Sequence, residues 1–148
     1  MSVPARLKLL DPALRQVLKD ASGQARRRVA LSVTKLAVDR ARIADPRVGA
    51  ALERLQNGGH GDSPERSAVQ ALTEELDQAA WDVQDRFEAG TANKADYLKA
   101  FVKARAAKAV WYALDGDPLE AAAEATYEAS AAIEDPASVR SAIQDSLI

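Results

Sequence analysis

The pattern best suited to molecular recognition in this sequence surrounds Trp81. Glu74 and Asp77 stand seven and four positions before it, and Asp85 and Glu88 stand four and seven positions after it. At about 100° per residue, a helix places all four carboxylates within about 40° of the tryptophan. A large flat side chain amid carboxylates is typical of a binding hot spot for a basic protein. The sequence leaves open whether another helix, the first or the last, covers Trp81.

A second set of residues at helical spacing combines aromatic rings with basic groups. Its members are Tyr97, Phe101, Arg105, Lys108 and Tyr112. The hydroxyl and basic groups of this stripe are expected to satisfy one another or to meet the glutamates of the next helix. The alternative is that the stripe lines a pocket for a small molecule or an anion between two helices.

No arrangement of residues for catalysis or metal binding is recognisable. His60 is the only histidine and lies in a glycine-rich loop, and the chain has no cysteine. A Ser-His-Asp, Cys-His or helical Glu-x-x-His arrangement would need this histidine, which stands outside any predicted helix and has no nucleophile motif upstream. Asp115 and Asp117 lack the later ligands of a calcium loop, and no phosphate-binding loop is present. The sequence predicts a protein that is not an enzyme and needs no metal or cofactor.

Composition predicts a single domain over residues 1–148. Charged residues make up 28% of the chain and the net charge is −2, without the basic, aromatic-rich surface of a nucleic-acid binder. No apolar run approaches the roughly 20 residues that span a bilayer. The first residues hold too short an apolar stretch for a signal peptide. We expect a cytoplasmic protein that binds neither nucleic acid nor membrane.

The sign of the charge alternates in blocks along the chain. Residues 1–47 carry a net charge of +7, residues 48–90 carry −6, residues 91–114 carry +4 and residues 115–148 carry −7. The simpler interpretation is that opposite blocks on neighbouring helices screen each other. The functional interpretation is that one acidic block faces a basic partner and steers its approach.

Prolines mark where the helices begin. Five of the six follow a residue that can cap a helix, in the pairs Asp11-Pro12, Asp45-Pro46, Ser63-Pro64, Asp117-Pro118 and Asp135-Pro136. The Asp or Ser side chain accepts a hydrogen bond from the first turn, and proline has no N–H to lose there. Two further helices are predicted over about 24–44 and 92–114. The fold is predicted to be all-α, one irregular antiparallel bundle of six to seven helices.

Apolar residues at helical spacing indicate the core. The first helix should bury Leu14, Val17 and Leu18. The fourth, from Pro64 to about Glu88, carries a stripe opposite Trp81 made of Val69, Leu72, Leu76, Val83 and Phe87. Large side chains point in several directions from the fifth helix, which is therefore expected to be central and covered on most sides.

Several alanine-rich segments resemble a known family. They are residues 39–47, the Ala-Leu-Glu-Arg-Leu and glycine-rich break of residues 51–59, the Ala-Ala-Trp of residues 79–81, residues 104–113 and residues 121–129. These segments resemble the small Ala-rich, all-helical immunity proteins of bacterial polymorphic-toxin systems. The resemblance implies a cytoplasmic, non-catalytic protein that neutralises a cognate toxin by occluding it, and it assigns no site residue.

The expected function is therefore a non-catalytic protein-binding module, an immunity-type inhibitor that occludes a basic partner through the acidic face around Trp81. One alternative is a helical-repeat-like scaffold, since three segments share an Asp-Pro start followed by apolar residues, although their spacing is not constant. A second alternative is a helical bundle with a small-molecule pocket along the Tyr97–Tyr112 stripe.

Overall fold

A computed structural model describes residues 12–147, so the predicted Asp11 cap lies outside the described residues. Over this range the fold is all-α, with seven helices packed against one another and no strands, as predicted. The helices are α1 (Pro12–Asp20), α2 (Gly23–Ala41), α3 (Pro46–Gln56), α4 (Pro64–Glu88), α5 (Lys94–Ala113), α6 (Pro118–Ile133) and α7 (Pro136–Ser146). None of the helices described between residues 12 and 147 is long and apolar enough to cross a bilayer.

The predicted caps explain where the helices start. The side chains of Asp45, Ser63, Asp117 and Asp135 each accept a hydrogen bond from a backbone N–H of the following turn. Helix α5 starts without a proline, through a capping box between Asn93 and Asp96. Each such cap stabilises its helix by about 1 kcal/mol, which fixes the register of every side chain that follows.

Helix α5 packs against α2, α3, α4 and α6, so it is central as predicted, but α6 is the more deeply buried of the two helices. Helix α6 packs against both α2 and α5, and ten of its 16 residues are buried. Alanine dominates this set, and its small side chain allows helices to approach closely. The buried residues include the carboxylates of Glu124 and Glu128. Only the second half of α5 is buried, from Ala104 onward.

A second core cluster joins α3, α4 and α5. Its fully buried members include Val48, Val69, Val110 and Leu114. The carbonyl of Leu114 also accepts a 2.6 Å hydrogen bond from the N–H of Gly61, which ties the α3–α4 loop to the end of α5. This cluster, which we call the root, anchors the hairpin formed by α4 and α5.

The prediction that the apolar stripe of α4 is buried along its whole length is wrong beyond the root. Leu76 and Val83 are only half-buried and Phe87 is 40% exposed. No residue from 74 to 103 is buried, and we call this part of the α4–α5 hairpin the arm. Helical spacing shows which residues share a face, but it does not show whether a third helix covers that face. For the same reason Val17 of α1, predicted to point inward, is exposed.

The arm turns on a short connection after Glu88. Gly90 has a φ of +81°, a backbone conformation that side chains other than glycine rarely adopt. The N–H of Thr91 then donates a 2.8 Å hydrogen bond to the carbonyl of Arg86. These contacts close the turn, so that α5 returns along α4.

Arg47 links α3 to the first turn of the arm on α4. Its guanidinium donates to Asp45 at 2.9 Å and 3.0 Å and to Glu75 at 2.7 Å and 3.0 Å. These hydrogen bonds are the main reason that the pKa values of the Asp45 and Glu75 carboxyls lie below their ordinary values of 3.8 and 4.5. The link should therefore stabilise the fold only while both carboxyls are ionised.

An Arg47→Gln variant should have a lower free energy of unfolding at pH 7, and the deficit should shrink as pH falls through about 4. A depressed carboxyl pKa contributes stability above the unfolded-state value, and that stability is lost as the folded protein takes up the proton. Urea unfolding of both proteins from pH 7 to about pH 2.5 measures this difference. Arg86→Gln is the control, because no described carboxylate lies within ion-pair distance of Arg86. A deficit that is the same at both ends of the range would contradict this explanation.

Candidate functional site

Trp81 is exposed, at 62% of its accessible surface. The alternative in which the first or last helix covers it is therefore wrong. Three of the four exposed large apolar side chains in the described chain, Trp81, Phe87 and Leu98, lie on the arm. Single exposed apolar residues are ordinary on protein surfaces, but several of them on one element make that element a candidate interaction site.

A groove of about 410 Å³ runs between α4 and α5 and brings the two predicted groups together. Helix α4 contributes Asp77, Ala80, Trp81 and Gln84, and helix α5 contributes Tyr97, Phe101, Ala104, Arg105 and Lys108. The small side chains of Ala80 and Ala104 leave the space between the two helices open. Trp81 and Asp77 of the acidic face thus stand opposite Tyr97, Phe101, Arg105 and Lys108 of the aromatic–basic stripe in one site.

Aromatic rings form a row along the α5 side of the arm. The ring of Phe87 stacks on that of Tyr97 with centroids 6.3 Å apart, and Tyr97 lies 6.2 Å from Phe101. The guanidinium of Arg105 continues the row, 5.0 Å from the centre of the Phe101 ring. Aromatic pairs of this kind contribute about 0.5–1.5 kcal/mol each beyond the area they bury. The row helps to hold the arm in place where no buried core does so.

Both basic groups of the groove are neutralised within the fold. Arg105 Nη1 lies 3.1 Å and 3.2 Å from the two carboxylate oxygens of Glu128, as expected for a contact with the following helix. Lys108 Nζ instead lies 3.1 Å from Asp77 Oδ2 on the opposite wall of the groove. The first pair attaches the groove to α6, and the second holds the two walls together.

The remaining predicted residues lie around the groove. Glu74 and Tyr112 line a smaller cavity of about 150 Å³, which shares Lys108 with the main groove. Asp85 and Glu88 are exposed and line neither cavity. No basic side chain of the described residues lies within ion-pair distance of Glu74, Asp85 or Glu88. Negative charge near Trp81 is therefore not neutralised by a described basic side chain.

Sequence reasoning missed several residues that build the site. Ala80, Gln84 and Ala104 line the groove, and Glu128 supports it from α6. The available signal was the angular position of Ala80 and Gln84, since both lie between Trp81 and the α4 face that packs on α5. A contact of the stripe with glutamates of the next helix was expected, but the complete burial of Glu128 was not predicted.

His60 lies in another part of the molecule. It is exposed and lines a cavity of about 580 Å³ with Arg27 and Arg28. Arg27 donates to the carbonyls of Asp115 and Gly116, and burial lowers its pKa. Between residues 12 and 147, no three histidine, aspartate or glutamate side chains are grouped so that they could hold a metal ion.

Comparison with known proteins assigns no family. No family model matches the sequence, and neither the curated proteins nor the solved structures contain a significant match. The resemblance of the alanine-rich segments to immunity proteins therefore stays a prediction.

Proposed function

We propose that this chain is a non-catalytic protein-binding module whose arm docks on a basic protein. Its action would be that of an immunity-type inhibitor, which occludes the functional surface of its partner. The observation that supports this most directly is the 62% exposure of Trp81 on the arm, beside carboxylates that no described basic side chain neutralises. A tryptophan in this setting is costly to leave in water and supplies a large contact area when it is buried.

The charge of the arm fits a basic partner. Residues 74–103 contain seven acidic and four basic side chains, a net charge of −3. An acidic surface accelerates encounter with a basic partner, whereas burial of Trp81 would slow dissociation. The two features thus have separate roles, one in association and one in residence time.

The shape of the arm suits occlusion. Residues 74–88 of α4 extend for about 20 Å at 1.5 Å per residue, and α5 runs back alongside them. A helical hairpin of this length can cover the mouth of a cleft or lie along a groove of the partner. The root holds the arm from one end, so docking needs no rearrangement of the bundle.

Photo-crosslinking in the source-cell lysate provides the first test. A photoreactive residue at Gln78, which is exposed on the Trp81 side of α4, should capture one basic protein at low salt. The same residue at Lys35, exposed on α2, should not capture that protein. Equal capture from both positions would indicate non-specific binding to the whole surface and would contradict docking through the arm.

With the purified partner, Trp81→Ala should weaken binding about 30-fold or more, as truncation of a hot spot does. The free energy of unfolding should change by less than about 1 kcal/mol, because the side chain is largely exposed in the free protein. Val17→Ala is the matched control, since it truncates an exposed apolar residue outside the arm. Calorimetric titration and urea unfolding measure the two effects. Undiminished affinity in Trp81→Ala, or a loss of several kcal/mol in stability, would overturn the proposal.

A small-molecule site is the second candidate, and the groove itself favours it. Its volume of about 410 Å³ lies within the range of ligand pockets in proteins. Thermal stabilisation of the chain by a metabolite, lost in Phe101→Ala and kept in Val17→Ala, would support this function in place of protein binding.

A further inference from the structure

The electrostatic balance of the groove restricts what can enter it. Arg105 and Lys108 each have a carboxylate partner at 3.1 Å, so neither offers an uncompensated positive charge. An anionic ligand would have to displace Glu128 or Asp77 from these pairs. The negative charge that remains available lies on Glu74, Asp85 and Glu88, which stand near Trp81 but outside the groove. The groove therefore favours a cation over an anion.

The walls of the groove also favour a particular kind of cation. Trp81, Tyr97 and Phe101 line one space, and aromatic faces attract cations that lie within about 6 Å of the ring centre. The groove already contains such a contact, because the guanidinium of Arg105 lies 5.0 Å from the centre of the Phe101 ring. Guanidinium groups are planar and weakly hydrated, so they stack on aromatic rings more readily than ammonium groups do.

We propose that the groove is a socket for an arginine side chain of the protein partner. The guanidinium stacks on the indole of Trp81 and the phenol ring of Tyr97, and the carboxylates of Asp85 and Glu88 attract its charge from outside the groove. The aliphatic part of the arginine lies against Ala80 and Ala104. This inference rests on the proposed protein-binding function and names the residue that the arm recognises.

The size of the groove agrees with this occupant. At about 410 Å³ it has room for a whole arginine side chain without a change in the two helices. An apolar side chain would fill the same space but would leave the carboxylates near Trp81 without a partner. A lysine would meet the carboxylates but would gain less from the flat aromatic walls.

The test uses two peptides of nearly the same shape that differ in charge. Acetyl-Gly-Arg-Gly-amide and its citrulline counterpart are titrated into the full ¹⁵N-labelled chain at low salt, and amide chemical shifts are followed. We expect the arginine peptide to bind with a millimolar Kd and to shift the amides of Ala80, Gln84 and Ala104 most strongly. The citrulline peptide should bind about fivefold more weakly or worse, because it lacks the cation.

Variants locate the site and identify the source of the preference. Trp81→Ala should weaken binding of the arginine peptide about fivefold or more, whereas Val17→Ala should leave it unchanged. The double variant Asp85→Asn, Glu88→Gln should reduce the preference for arginine over citrulline while keeping the same pattern of shifts. Because all four side chains are exposed, these variants are expected to fold.

Several outcomes would overturn the socket. They are equal binding of the two peptides, shifts spread over all acidic surfaces, no binding of the arginine peptide up to about 20 mM, or tighter binding of acetyl-Gly-Glu-Gly-amide. The last result would make the groove an anion site despite its internal ion pairs. If the arginine peptide fails while the intact partner still depends on Trp81, protein binding stands and the socket is wrong. If the peptide binds but the crosslinks find no partner, the proposed function fails instead.

Discussion

Replacement of Arg105 by methionine is expected to lower the free energy of unfolding by about 3 kcal/mol. The carboxylate of Glu128 is fully buried in α6, and Arg105 supplies two hydrogen bonds to it across the α5–α6 interface. Methionine fills a similar volume but leaves the buried negative charge without its guanidinium. The loss of the guanidinium is costly because the buried carboxylate cannot be hydrated in its place. Urea unfolding at pH 7 measures the difference.

If the loss of the Arg105–Glu128 charge pair causes this destabilisation, it also determines the effect of replacing Glu128. Glu128→Gln should cost less than Arg105→Met, because the Arg105 side chain is 32% exposed and can be hydrated when its partner is lost. The double variant Arg105→Met, Glu128→Met should recover much of the loss, since apolar residues of similar volume often replace a buried ion pair without penalty. Additive losses in the double variant would show that packing, and not charge, dominates at this position.

The starts of the helices could be predicted from the sequence because the hydrogen bonds that cap them join residues close together in the chain. The hydrogen bond from a cap such as Asp45 or Ser63 involves residues within three positions, so the Asp-Pro and Ser-Pro pairs contain the information themselves. The burial of a helix face, in contrast, depends on helices that are distant in the sequence. Phe87 continues the spacing of Val69 and Leu72, yet it lies beyond the root, where only α5 packs on α4.

The site could be predicted in parts but not as a whole. Helical geometry places the carboxylates around Trp81, and it places Tyr97, Phe101 and Arg105 along one side of α5. Whether two such faces meet depends on the rotation of each helix about its axis and on the connection between them. The turn at Gly90 and the pairing of Lys108 with Asp77 fix that rotation. Neither contact follows from the spacing of residues within one helix.

The Leu114→Ala variant is expected to lose about 3 kcal/mol of stability, because truncation of a buried leucine removes apolar contacts and leaves a cavity. Leu114 is fully buried at the root, among side chains of α3, α4 and α5. The matched control is Leu98→Ala in the same hairpin, where the leucine is exposed on the arm and the loss should stay below about 1 kcal/mol. Urea unfolding, monitored by circular dichroism, gives both values.

The contrast between these two leucines tests whether stability and binding lie in different parts of one hairpin. If the root carries the stability, amide hydrogen exchange should be slow around Leu114 and faster along the arm, where local opening exposes no buried core. The arm could then vary its side chains to suit a partner without loss of the fold. Equal costs for Leu114→Ala and Leu98→Ala would mean that the arm is packed in solution. Trp81 and the groove would then not be free to receive a partner.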